Sequence, residues 1–91
     1  MQDMNMQDKN KTIIKQTIAN TVKRLRGNKS QFMLGAEFDI PSSVISDIER
    51  AQKDPQLTTL FKLANAFNMS VSAFMQELEK DLPKNFTIND D

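Results

Sequence analysis

The chain has 91 residues, with 12 lysines and arginines against 12 aspartates and glutamates, so its formal net charge is zero. That length holds one domain with a modest core and is too short for a large enclosed active site. Cysteine and histidine are both absent, which excludes a disulfide framework, a thiolate metal site, and the commonest general base and neutral metal ligand.

No apolar run is long enough to span a bilayer. The opening MQDMNMQDKNK lacks the apolar segment of a signal peptide, so the expected location is the cytoplasm. Zero net charge argues at first against a nucleic-acid partner, but the average hides a segregation. From Lys9 to Gln31 every charged residue is basic, whereas acids dominate further on and end in Asp90 and Asp91. A neutral chain of this kind can still present one basic face.

Residues 1–10 are polar and rich in Met, Asn, Asp and Gln, and read as a disordered N-terminal tail. One folded domain is expected over 11–82, with a C-terminal tail over 83–91. The first helix is expected from about Thr12 to Arg26, on the spacing of Ile14, Ile18, Val22 and Leu25. Gly27 and Asn28 end it, since either tolerates the left-handed conformation of a helix stop. Ser30 looks like an N-cap, and the short helix after it takes apolar contacts from Phe32, Met33, Leu34 and Phe38.

Asp39 falls in a turn, and Pro41 opens the third helix, where its missing N–H costs nothing. That helix carries Val44, Ile45 and Ile48 and ends near Ala51. Lys53-Asp54-Pro55 is a turn, because the residue before proline disfavours helix. A fourth helix from about Leu57 to Phe67 has Leu57, Leu60, Phe61, Ala64 and Phe67 on one stripe, with Asn68 as its stop. Ser70 or Ser72 caps a fifth, which carries Val71, Phe74, Met75, Leu78 and Leu82 and stops at Pro83. The expected fold is all-α.

Two short helices joined by a tight turn suggest a helix-turn-helix, a weak signal alone. The spacing of Gln31, Leu34, Gly35, Asp39, Ile45, Ile48, Glu49, Pro55, Leu60, Leu63 and Ala64 is more specific. It resembles the lambda-repressor/Cro-like family, also called the xenobiotic-response-element family of bacterial and phage regulators, over roughly residues 22–78. The resemblance implies a compact five-helix domain, its helix-turn-helix formed by helices 2 and 3, that binds operator DNA as a dimer with helix 3 in the major groove. Three positions depart from the pattern. Gly35 stands where alanine is favoured, Asp39 where glycine is favoured, and Lys29 where the residue is often apolar. Glycine still allows close helix approach, and aspartate is among the few residues that visit positive φ.

In that frame Ile45 and Ile48 face inward, and Ser42, Ser43, Ser46 and Asp47 look outward. A hydroxyl meets any base edge, and a carboxylate accepts from a cytosine amino group. On an isolated helix the serines would read as solvated surface; the resemblance turns them into base contacts. Gln31 is given the phosphate grip of the matching glutamine, at a helix start whose free N–H groups favour an anion. Arg50, Lys53 and Lys29 are further phosphate candidates, each otherwise an ordinary surface charge. Lys11 and Lys15 share a face (i, i+4), either near flanking phosphates or simply in water. The resemblance turns Glu49 inward to pair with Arg24, a structural ion pair. Phe74, Met75, Leu78 and Leu82 are more apolar surface than one small core hides, and they are the expected dimer interface.

The expected function is a repressor acting as a homodimer on double-stranded DNA with a palindromic site. The alternative is an antitoxin or adaptor whose C-terminal helix binds a protein. An enzyme is not expected: no histidine, cysteine, tyrosine or tryptophan is present, and no carboxylate pair or glycine-rich loop stands out. No cofactor, metal or membrane partner is expected.

Overall fold

Five helices follow one another: α1 (Met6–Arg26), α2 (Gln31–Phe38), α3 (Ser42–Glu49), α4 (Leu57–Ala66) and α5 (Val71–Asp81). The computed structural model describes residues 6–87, and side chains from residue 8. Residues 1–5 of the tail expected over 1–10, and Asp90 and Asp91, lie outside the described residues.

Most helix ends follow from local chemistry. The Ser30 hydroxyl accepts from the Met33 amide at 3.0 Å, and the Ser70 hydroxyl from the Ala73 amide at 3.1 Å. Each satisfies one of the amides that a helix start leaves unpaired. Gly27, Asp39 and Asn68 are left-handed, at φ 57°, 57° and 58°, where α1, α2 and α4 stop. Asn68 closes α4 with the paired bonds of a Schellman stop, from the Asn68 amide to Asn65 and from Met69 to Ala64. Pro41 stands one residue before α3 instead of inside it, and its carbonyl accepts from Val44 at 2.9 Å.

The start of α1 differs from expectation. Residues 6–10 are helical, and Asn10 is buried. Apolar periodicity begins only at Ile14, so it gives no sign of the polar turns before it. Those turns carry no proline or glycine, and extending a formed helix fixes one residue per added hydrogen bond.

The core gathers Ile18, Val22, Leu34, Ile40, Ile45, Ile48, Leu63, Ala64, Phe74 and Leu78. Helix α1 packs on α3 and α5, α2 on α3 and α4, and α4 on α5. The Phe67 and Phe74 rings meet at 6.1 Å between centroids. Gly35 is buried where α2 meets the turn, and a Cβ there would collide with the Ile40 carbonyl oxygen. This approach sets the spacing of α2 and α3, with the Ile40 amide donating to the Gly35 carbonyl at 3.0 Å.

Candidate nucleic-acid interface

The face of α3 away from the core is built by its helical phase. Ile45 and Ile48 are fully buried, and Glu49 behind them is 4% exposed. Ser42 and Ser43 are exposed, and Ser46 and Asp47 are half-buried. Each of the four keeps some solvent exposure. Small hydroxyls let the helix backbone approach a groove closely, and Asp47 supplies the only acid of that outward row.

The glutamate behind the row is tied to α1, but not by the expected residue. Arg26 donates to Glu49 through Nε (to Oε2, 2.6 Å) and Nη2 (to Oε1, 2.8 Å). Its Nη1 donates to the Lys29 carbonyl at 2.7 Å. Arg24, expected to hold Glu49, instead pairs with Glu77 at 3.0 Å and Asp81 at 2.9 Å on α5. The reason is phase: residues two apart on a helix point about 200° apart. Arg24 lies three residues past Thr21, whose hydroxyl donates to Asp81 at 2.6 Å. Arg26 lies four past buried Val22 and meets α3.

Gln31 opens α2 half-buried, and its Nε2 donates to Glu49 Oε1 at 3.0 Å. The expected phosphate ligand is therefore held by the same carboxylate that Arg26 holds. Burial alone would raise the Glu49 pKa. The hydrogen bonds from Arg26 and Gln31, with the charges of Arg26 and Lys23, outweigh it and hold the group below its ordinary value of 4.5. Asp81 is likewise lowered, first by the Thr21 hydroxyl and then, against some burial, by Arg24.

Arg50 and Lys53 are exposed beyond the end of α3. Arg50 pairs with Asp47 at 2.6 Å. Lys53 makes no ion pair among the described residues. Lys29 pairs with Glu37 at 3.1 Å and stands 5.8 Å over the Phe38 ring, so its charge is already engaged. Lys11 is exposed and Lys15 half-buried.

The expected dimer interface needs a second correction. Phe74 and Leu78 are buried in the core, because they share one face of α5 (i, i+4). Met75, about 100° further round, is 42% exposed, and Leu82 is half-buried. The sequence puts Leu57 and Phe61 on one apolar stripe of α4 with Leu60, Ala64 and Phe67, yet they are 66% and 53% exposed. Phe32 and Met33 of α2 face outward too. Periodicity finds such a stripe but not what covers it. Beside Leu60, Met75 and Leu82 lies a groove of about 300 Å³, floored by Ile14 and Ile18 and bordered by Asp54 and Glu79.

A tight helix pair with an outward hydroxyl row, braced from α1, defines a helix-turn-helix domain of the lambda-repressor/Cro-like class of DNA-binding domains. The model of the helix-turn-helix family HTH_3 matches residues 22–74, and the chain belongs to that family. Among solved structures it is similar to an HTH_3 family transcriptional regulator from Vibrio cholerae, with a TM-score of 0.67 and 28% identity over 89% of this chain. The chain spans 47% of that structure's chain. No curated protein matches the sequence. No helix among the described residues is long and apolar enough to cross a membrane.

Proposed function

We propose that this protein is a sequence-specific transcription regulator that acts as a repressor, binding a palindromic operator as a homodimer. The observation that carries the reading is the split of α3. Ile45, Ile48 and Glu49 are buried while Ser42, Ser43, Ser46 and Asp47 reach the surface. Base edges are read by the outward row of α3. Gln31, held on Glu49, meets a phosphate at the start of α2, and Lys53, exposed beyond α3, flanks it with positive charge. Occupying the operator would exclude polymerase without chemistry at the site.

The apolar face of α4 and α5 supports the dimer. Leu57, Phe61 and Met75 are exposed, and Met75 lines the groove together with Leu60 and Leu82. A two-fold pair covering this face would bind half-sites about 34 Å apart. The same exposed residues also support the adaptor reading, in which a different protein covers them.

Electrophoretic mobility shifts with a random duplex pool and competitor DNA test the first reading. A regulator retains a palindromic consensus and loses affinity steeply with salt; equal affinity for every duplex contradicts it. Sedimentation of the wild type and Phe61→Asp tests the second copy. A dimer that Phe61→Asp converts to monomer supports it, whereas a monomer that co-purifies with a stoichiometric foreign protein supports the adaptor.

A further inference from the structure

Arg50 follows the last residue of α3, yet its amide still donates to the Ser46 carbonyl at 3.0 Å, so its side chain keeps the helical phase. At about 100° per residue, Ser43, Ser46, Asp47 and Arg50 fall within one sector about 100° wide, directly opposite Ile45 and Ile48. Arg50 lies near the middle of that sector. Its side chain is 65% exposed and that of Asp47 38%, and Nη2 of Arg50 meets Oδ1 of Asp47 at 2.6 Å.

We propose that Arg50 reads a guanine in the major groove and that Asp47 is its positioning residue, which rests on the reading of α3 as the DNA-contacting helix. Guanine presents two acceptors, O6 and N7, which a guanidinium meets in a bidentate fork. Arginine carries five N–H donors. Asp47 takes one of them, which leaves enough for both acceptors and restrains a side chain that would otherwise sample many rotamers. The pairing also accounts for an acid in a row that faces phosphates. Its charge is neutralised by the arginine it orients, so it does not need a cytosine amino group.

The test is selection of bound duplexes from a random pool by the full chain, as wild type, Arg50→Ala, Asp47→Ala and Asp47→Asn. Helical circular dichroism confirms that each variant is folded. The wild-type consensus is expected to hold a guanine in each half-site whose preference Arg50→Ala lowers by about 5- to 150-fold, other positions keeping theirs. Asp47→Ala is expected to bind unselected DNA more tightly while weakening that same guanine preference. Asp47→Asn, which keeps an acceptor for Arg50, restores part of it. Uniform weakening by Arg50→Ala on all duplexes, with the salt slope lowered by about one and every preference intact, would make Arg50 a phosphate ligand and overturn the proposal. An unchanged guanine preference in Asp47→Ala overturns the positioning role. A wild-type pool that yields no consensus removes the regulator reading itself, and this inference with it.

Discussion

Around α2 and α3 polar and backbone contacts are added to the apolar packing of Leu34, Ile45 and Ile48: the Gly35 approach to Ile40, the left-handed Asp39, and Glu49 held by Gln31 and by Arg26 of α1. Lys62 of α4 steadies the same turn by donating to the Asp39 carbonyl at 3.1 Å. Between α4 and α5 the contacts are apolar, centred on Leu63, Phe67 and Phe74. Directional contacts fix the angle and register of two short helices more tightly than a non-directional hydrophobic contact does. The half proposed to fit a groove has the former in addition to its apolar core. The half that supplies bulk stability, and the exposed Leu57, Phe61 and Met75, is held by the latter.

The comparison is sharpest at its strongest residues. Phe74→Ala should cost about 3–5 kcal/mol, the range for emptying a fully buried aromatic site, read as a fall in the urea midpoint. A loss under about 1 kcal/mol would mean that α5 is not part of the core.

Arg26→Ala should follow at about 3 kcal/mol, the lower end for breaking a buried pair, because Arg26 is 20% exposed. The charge has a pH signature. Glu49 is lowered on folding, so its contribution is full above its unfolded value near 4.5 and is lost as pH falls through the folded value. Glu77 and Asp81 are lowered too, so the informative quantity is a difference. Stability of wild type minus that of Glu49→Gln, measured between pH 3 and 6 (about the carboxylate range), should shrink toward low pH. A constant difference would contradict the pairing.

Smaller effects separate backbone from charge in the same half. Gly35→Ala should lose about 1–3 kcal/mol by overpacking against Ile40, despite alanine's better helix propensity. A gain in thermal midpoint would show that the α2–α3 approach can relax. Ala51 closes α3 in the left-handed conformation at φ 57°, with its amide on the Ile48 carbonyl and that of Gln52 on Asp47. Glycine avoids the Cβ penalty of that Schellman stop. Ala51→Gly should therefore raise stability by up to about 1 kcal/mol, and a loss would contradict the αL assignment.

Much of the fold was legible because helix ends are local chemistry. Ser30, Gly27, Asp39, Asn68 and Ser70 act within a few residues of where they stand, and each is observed in the role its residue type suggests. Less legible was anything that depends on which element lies across a gap. Arg24 and Arg26 are the same side chain two positions apart, and only the placement of α3 and α5 around α1 assigns Glu49 to one and Asp81 to the other. Phe74 and Met75 are neighbours in sequence with opposite fates, because the outward neighbour of an inward residue needs only one step round the helix. The outward row of α3 was legible from Ile45 and Ile48. Its ion pair was not, since Asp47 and Arg50 were assigned to different parts of the DNA.

The most direct test is an amide chemical-shift titration of the labelled protein with a duplex recovered by selection. Shifts concentrated at Gln31, Ser42, Ser43, Ser46 and Asp47, with Glu49 and Ile48 little moved, are the predicted result. Shifts concentrated at Leu57, Phe61 and Met75, with the serine row silent, would contradict it.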